Sequence, residues 1–254
     1  MVFFVIIIHG MKKEHVFSVI ALLVIWQLAA MRTANDILIP YPAQTLGETV
    51  RLFAKPAFYQ AVGATLARVG KGFVLSCSAA LLVSILTDRF PAVKEYLNPL
   101  LVILRTIPNI SYIVMALIWL GAEGAVSAVS FMILFPVFVS AFTGRLEQED
   151  PLIKEVVLLY PETFWFHLRY KVIPDLIPEV LATGKTAAGL GLKVGIMAEI
   201  LGQVRSGIGR SMNYARLNLD TAVIVAWTIV IIVISVLLDR IFTWLQAQQM
   251  KEEQ

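Results

Sequence analysis

Long runs of apolar residues, separated by short polar segments, dominate the pattern along this chain. Several runs approach the roughly 20 residues that a helix needs to cross a hydrocarbon core of about 30 Å. They are Val16–Met31, Thr65–Thr87, Leu100–Leu120, Ala125–Thr143, Leu181–Leu201 and Thr221–Leu238. Backbone groups in lipid must be satisfied internally, and these runs are too long and continuous for barrel strands. The pattern therefore predicts an all-α integral membrane fold with about six transmembrane helices, in one domain over residues 1–254.

Composition points to the same environment. The chain has 58% hydrophobic and 15% charged residues with a mean hydropathy of +0.78, against roughly 45–50% apolar and 25% charged in soluble proteins. The net charge is +3, but the basic residues lie mostly between the apolar runs rather than in one patch. We therefore expect the lipid bilayer, and no nucleic acid, as a partner.

Charge also predicts orientation. With both termini on one side, eleven Lys and Arg residues outside the runs or within their first five residues fall on that side, and seven, Arg68 among them, fall opposite. Because basic loops tend to stay in the cytoplasm, both termini and the long loop 144–180 are predicted to be cytoplasmic.

The polar residues offer little catalytic or metal chemistry. The single cysteine, Cys77, lies inside an apolar run and is predicted to be a packed side chain. The histidines His9, His15 and His167 lack the spacing of metal ligands. We expect no catalytic residue, no metal site and no enzyme activity on this chain.

Thr183–Thr186 reads TGKT and resembles the end of a phosphate-binding loop. The glycine that this loop requires five residues before Gly184 is Glu179, and no strand precedes it. We therefore predict no ATP site here.

Prolines and a capping pattern mark the shorter elements. Thr45 and Glu48 resemble a capping box that opens a short amphipathic helix on the outer surface, with Leu46, Val50 and Phe53 on one face. Pro108 and Pro136 are predicted to bend the third and fourth spans. The bends are either structural kinks or breaks that line a water-filled pathway.

The fifth span combines glycines with charge. Gly191 and Gly195 form a small-xxx-small pair, suited to close helix packing within the subunit or with a second copy. Lys193 and Glu199 are six residues apart, so they point to different sides of a helix and are poor partners. Charges in a span usually face protein or water, which makes Glu199 a candidate functional residue. Lys71 and Arg105 are charged residues near the second and third spans, and the alternative for both is that their long side chains extend to the membrane interface.

Several stretches resemble a known family, the permease subunits of binding-protein-dependent ABC importers. They are LNPLLVILRTIPNISYIVMALIWLG, MAEILG, GIGRSMNYA and LLDR, in this order, and they extend the resemblance over nearly the whole chain from about residue 16. The branch is the one that handles sulfonates, nitrate, taurine and pyrimidine or flavin-like vitamin precursors. The resemblance implies a fold like that of type I importer permeases.

The hallmark of this family is a cytoplasmic loop with the pattern E-A-A, three residues, G, nine residues, then I-x-L-P. Aligned on Pro174, the chain keeps Glu155 but has Val156 for an alanine and Pro161 for the glycine. Proline fixes φ near −65°, so the turn in this loop must differ from a glycine turn.

The resemblance implies docking of this loop on a separate ATPase. The residues that we expect to take part are Glu155, Val156, Leu159, Pro161, Phe164, Trp165, Leu168, Arg169 and Pro174. Apolar and aromatic side chains of this kind dominate protein interfaces. The alternative is that the aromatic side chains form a belt at the membrane interface.

The implied assembly has two cytoplasmic ABC ATPase subunits, a second permease copy or homologue, and a periplasmic or extracellular solute-binding protein. It would lie in a bacterial or archaeal cytoplasmic (inner) membrane. No cofactor is expected on this chain, because ATP and Mg would bind the partner ATPase.

A pathway for a small solute is the implied role of the spans. Candidate lining residues are Tyr112, Met115, Trp119, Gly191, Gly195, Met197 and Glu199. Two other classes remain open: an ion-gradient-driven secondary transporter or channel subunit, and a structural membrane subunit. Neither gives a purpose to the 36-residue polar-rich loop from Gly144 to Glu179, and no internal repeat supports a secondary transporter.

Overall fold

The computed structural model describes residues 13–148 and 163–252. In these two ranges the chain forms helices and turns without a strand, which confirms the all-α prediction. The helices are α1 (Lys13–Thr33), α2 (Pro42–Phe53), α3 (Pro56–Arg89), α4 (Pro91–Thr106), α5 (Asn109–Glu147), α6 (Phe164–His167), α7 (Ile173–Gly202), α8 (Ile208–Leu217) and α9 (Thr221–Glu252). A π-helical segment, Leu168–Val172, joins α6 to α7.

Three stretches among the described helices are long and apolar enough to cross a bilayer: Pro56–Arg89, Asn109–Glu147 and Thr221–Lys251. Phe17–Thr33 is a shorter apolar helix. Large apolar side chains lie exposed on these helices, including Phe17, Val74 and Ile118, as expected where lipid replaces water as the solvent. The count of six spans stays a prediction.

Two breaks interrupt the region of the third and fourth predicted spans. α4 ends before Ile107, whose backbone is extended, and α5 begins after Pro108. The prediction that Pro108 bends one helix is therefore wrong, because Pro108 separates two helices. Inside α5, Gly121 has φ 66° and ψ 177°, a conformation that favours glycine. This second break falls between the two predicted spans.

Pro136 lies inside α5, as predicted. Its own carbonyl oxygen accepts a hydrogen bond from Arg105 Nη2 at 3.0 Å and one from Ser140 Oγ at 2.8 Å. The charged Arg105 side chain therefore has a polar partner within the chain, which lowers the cost of a cation in a span.

Contacts group the described residues into two compact units, and the single-domain prediction stays a prediction. The first unit comprises the residues up to Tyr59 together with Met212–Ile231. In this unit Trp26 Nε1 donates to the Pro40 carbonyl oxygen at 3.0 Å, and the rings of Phe58 and Trp227 stack at 5.4 Å.

Helix α2 belongs to this first unit. It begins at Pro42, with Tyr41 as N-cap and no side-chain capping hydrogen bond, so the predicted Thr45–Glu48 capping box is wrong. Proline at the first helical position lacks an N–H that would have no partner there anyway, which sets the earlier start. The predicted amphipathic face is present, because Leu46, Val50 and Phe53 are exposed.

The second unit comprises Gln60–Ser211 and Ile232–Gln254. Its core lies largely between α5 and α7, with Ile113, Leu134 and Phe138 fully buried. Gly191 and Gly195 allow the close approach. A Cβ at Gly195 would collide with Val69 Cγ2 on α3, and one at Gly191 would lie 3.0 Å from Leu134 Cδ1. The small-residue pair therefore packs within the subunit.

Candidate functional sites

A buried carboxylate near the end of α7 organises the first candidate site. Glu199 is fully buried, and its Oε1 accepts a hydrogen bond from Arg68 Nη1 at 2.7 Å. Thr65 Oγ1 lies 3.0 Å from Oε1 and 2.9 Å from Oε2, and the Gly209 amide donates to Oε2 at 2.9 Å. Every oxygen of this buried carboxylate therefore has a donor, which is the condition for keeping a charge inside a protein.

The arginine extends the site to α5. Arg68 Nη2 lies 2.6 Å from Glu123 Oε2, and Arg68 Nε donates to the same oxygen at 2.8 Å. Glu123 Oε1 accepts the backbone N–H of Arg205 at 2.9 Å. We call Thr65, Arg68, Glu123 and Glu199 the charged cluster; it joins α3, α5 and α7.

Two glycines let the chain pass over Glu199. A Cβ at Gly207 would lie 2.5 Å from Glu199 Oε2, and one at Gly209 would lie 2.5 Å from Glu199 Cβ and 2.6 Å from the Ile196 carbonyl oxygen. The Ile208 amide between them donates to Thr65 Oγ1 at 2.9 Å. The G-I-G sequence thus covers the carboxylate with backbone, since a side chain at either glycine would collide with Glu199.

The charged cluster was only partly visible in the sequence. Glu199 was singled out, and its separation from Lys193 is confirmed, because Lys193 is exposed. Arg68 was counted only as a loop charge and Thr65 only as the start of a span, while Glu123 was not named. A usable signal was the i, i+3 spacing of Thr65 and Arg68, which places both side chains on one helix face.

The residues proposed to line a pathway do not share one surface. Tyr112, Gly191, Gly195 and Glu199 are buried inside the chain, and the Tyr112 hydroxyl donates to the Leu104 carbonyl oxygen at 2.7 Å. Met115, Trp119 and Met197 are exposed. Their role in a pathway stays a prediction.

A second candidate site precedes α7. Phe164, Trp165, Phe166 and Tyr170 are all exposed, Trp165 by 75%; we call these four residues the aromatic surface. The rings of Phe164 and Trp165 lie 5.6 Å apart, and those of Phe166 and Tyr170 lie 4.6 Å apart. Phe166 and Tyr170 were not predicted, although the letters FWFHLRY show them in the same run.

Contacts with neighbouring helices hold the segment that carries the aromatic surface in place. His167 Nε2 lies 3.0 Å from Asp88 Oδ2 near the end of α3, and Arg145 Nη2 lies 3.3 Å from Asp175 Oδ1. Val172 and Leu176 are buried in the core. The segment thus has an exposed apolar side and a fixed base that touches α3, α5 and α7.

The other predicted docking residues divide in two. Leu168 is half-buried and packs on the core, whereas Arg169 and Pro174 are exposed. Glu155, Val156, Leu159 and Pro161 lie outside the described residues. Docking on an ATPase stays a prediction for all of them.

The TGKT run lies in the middle of α7 rather than in a loop. A Cβ at Gly184 would meet the Phe242 ring at 2.7 Å, and Lys185 Nζ lies 3.3 Å from Asp239 Oδ1. Its glycine and lysine therefore join α7 to α9, and the backbone is not free to surround a phosphate.

Comparison with known proteins shows that most of the chain is similar to transport permeases. The taurine transport system permease protein TauC of Escherichia coli is 24% identical, covering 87% of this chain and 82% of that protein. The nitrate import permease protein NrtB of Synechocystis is 24% identical, covering 93% and 89%. The formylaminopyrimidine transport permease protein ThiX of Halalkalibacterium halodurans is 27% identical, covering 74% and 75%.

No protein-family model matches the chain. The relatives nevertheless align with most of the chain, and the alignments cover a similar share of the relatives' own lengths. The described helices also include long apolar ones. The chain is thus a multi-pass membrane protein, and the predicted resemblance is confirmed: over most of its length it is similar to ABC transporter permeases, among them taurine and nitrate permeases.

Proposed function

We propose that the chain is the membrane subunit of an importer and forms the pathway for a small solute delivered by an external binding protein. Transport is driven by a separate ATPase that docks on the loop Glu155–Pro174. The relatives support the class, because TauC and NrtB are permeases named for small solutes, taurine and nitrate.

The aromatic surface carries the proposal. This apolar patch contains four exposed aromatic side chains within seven positions, arranged as two ring pairs. Trp and Tyr are enriched among the few residues that carry most of the binding energy in protein interfaces. The patch falls inside the segment that resembles the family's ATPase-docking loop. A free patch of this kind is costly in water, so it needs either a partner or the membrane interface.

The anchoring of the aromatic surface supports a coupling role. A displacement of this surface is transmitted to α3 through the contact of His167 with Asp88, and to α5 through the contact of Asp175 with Arg145. It reaches α7 directly, because the π-helical segment continues into that helix.

The same three helices are tied together again by the charged cluster. From Ile173 to Glu199, α7 rises about 39 Å at about 1.5 Å per residue, more than the thickness of a hydrocarbon core. Helices fastened at both ends move as one body, as alternating access by rocking requires.

The assembly that we propose contains two ATPases, two permease subunits and one external solute-binding protein, with ATP and Mg bound on the ATPases. Both termini lie in the cytoplasm, and the membrane is the cytoplasmic (inner) membrane of a bacterium or archaeon. The excess of Lys and Arg on the terminal side supports this orientation.

Co-expression with the candidate ATPase tests the proposal. The complex is purified in lipid, and recovery of the ATPase and its hydrolysis rate are compared for wild type, Trp165→Ala and Tyr214→Ala. Tyr214 is a matched control because it is an exposed aromatic, at 69%, on α8 instead of the docking loop. We expect at least a tenfold loss of ATPase affinity for Trp165→Ala alone.

The competing class is a transporter driven by an ion gradient. Solute uptake into vesicles that requires ATP on the side of the ATPase supports an importer. Uptake that follows an imposed ion gradient, with no ATPase recovered even by the wild type, would overturn the proposal. If the aromatic surface instead faces lipid, Trp165→Ala leaves ATPase recovery unchanged.

A further inference from the structure

An open cleft between α3 and α5 contains a charge that neither candidate site uses. Its volume is about 650 Å³, and residues that line it include Lys71, Leu75, Ser78, Gly124, Ser127 and Phe131. This space is large enough for a small organic or inorganic solute. The lining residues include a lysine and two serines but no Asp or Glu.

Lys71 is unusual among the cations in this part of the chain. Arg68, one turn earlier on α3, is neutralised by Glu123 and Glu199. No residue in the described ranges makes an ion pair or hydrogen bond with the Lys71 ammonium, and its side chain is exposed. A charge in a span is costly against lipid, so an unpaired one there faces water or a ligand.

The chemistry of the cleft selects for negative charge. The ammonium offers three hydrogen-bond donors and no acceptor. The Ser127 hydroxyl already donates to the Arg68 carbonyl oxygen at 2.9 Å, and Ser78 is exposed two turns along α3 from Lys71. A cation would meet Lys71 without a compensating carboxylate, whereas an anion would neutralise it.

We propose that this cleft is an anion subsite and that Lys71 holds the carboxylate, sulfonate or oxyanion group of the transported solute. The inference rests on the proposed transport function and narrows its solute class to small anions. Lys71 is thereby a residue that determines specificity and that touches the solute.

Thiol labelling tests the subsite without knowing the solute. Cys77→Ser removes the single cysteine of the chain, and Ser78→Cys places a thiol in the cleft. The full chain in lipid nanodiscs reacts with an anionic reagent, sulfonatoethyl methanethiosulfonate, or with the cationic trimethylammonioethyl analogue. The ratio of the two reaction rates reports the potential at the thiol.

We expect Lys71→Met and Lys71→Gln to lower the anionic-to-cationic rate ratio. One charge about 10 Å away in water changes this ratio about fourfold at low ionic strength, and more where the dielectric constant is lower. Lys71→Arg keeps the wild-type ratio. Lys193→Met is the matched control, since Lys193 is also an exposed lysine in a span but does not line the cleft.

An unchanged ratio in both neutral variants overturns the proposal. So does a thiol that reacts with neither reagent, because the cleft is then covered by lipid or by a second copy of the chain. Failure here is distinguishable from failure of the transport function, since ATPase recovery and ATP-driven uptake are measured separately. Either neutral variant suffices if the other does not fold.

Discussion

The charged cluster joins α3, α5 and α7, and the residues beneath the aromatic surface contact the same three helices, but the two sites have opposite construction. In the cluster, the Glu199 carboxylate is buried and every oxygen has a donor from the chain. On the aromatic surface, Trp165 and its neighbours are exposed, and only their base is fixed. The cluster is complete within the subunit, whereas the aromatic surface needs something outside it.

This difference predicts that substitutions in the two sites affect different properties: the stability of the subunit in one case and its coupling to partners in the other. Substitutions in the cluster leave a buried charge or a collision inside the protein, so they should act first on folding. Substitutions on the aromatic surface remove nothing that the subunit itself uses, so they should act on partners. Four substitutions test the contrast, ordered by their expected effect on stability.

Arg68→Ala should be the most destabilising. It leaves the buried Glu199 without its cation, and breaking a buried pair in this way costs about 3–5 kcal/mol. We expect a large fall in thermal stability in detergent or lipid, measured by a fluorescence melt.

The matched variant is Arg68→Met combined with Glu199→Met. Replacing both charges by apolar side chains removes the unpaired carboxylate, so stability should recover in part. An Arg68→Ala melt equal to that of wild type would show that the ion pair contributes nothing to the fold.

Gly209→Ala should have the next largest effect. The added Cβ would lie 2.5 Å from Glu199 Cβ and 2.6 Å from the Ile196 carbonyl oxygen. Overpacking of this kind costs about 1–3 kcal/mol. Gly189→Ala is the control, because its Cβ meets nothing within 4 Å and alanine favours a helix. A lower melting temperature for Gly209→Ala alone is expected; equal melts would contradict the close approach.

The sequence was sufficient for the long apolar elements, but not for the break at Pro108 or for the charged cluster. Hydropathy identified the long apolar elements because lipid demands them wherever they pack. Arg68 and Glu199 are 131 positions apart, and their pairing depends on the relative position of two helices, which local patterns do not contain. The Thr45–Glu48 motif gave a wrong helix start, because Pro42 allows α2 to begin earlier.

The aromatic surface shows the reverse case. Phe164 and Trp165 were recognisable as docking candidates because a run of aromatics in a polar loop is visible locally. The role of His167 was not predictable, because its partner Asp88 lies 79 positions away.

His167→Ala should have a moderate effect. It removes the contact to Asp88 that ties the aromatic surface to α3, and one hydrogen bond contributes about 0.5–1.5 kcal/mol. We expect a small loss of stability and normal ATPase recovery, but weaker coupling of hydrolysis to uptake. The measurement is the number of solutes transported per ATP hydrolysed. His167→Gln keeps a donor and is the control; lost ATPase recovery in His167→Ala would mean that the histidine contacts the partner.

Trp165→Ala should change stability least. Its side chain is 75% exposed, and substitutions at exposed positions usually shift stability by less than about 0.5 kcal/mol. The isolated subunit should therefore melt as the wild type does, although docking of the ATPase is lost. The control is Phe142→Ala, a fully buried aromatic whose removal costs about 3–5 kcal/mol. A Trp165→Ala melt as low as that of Phe142→Ala would show that Trp165 packs inside the subunit, and the contrast with the charged cluster would fail.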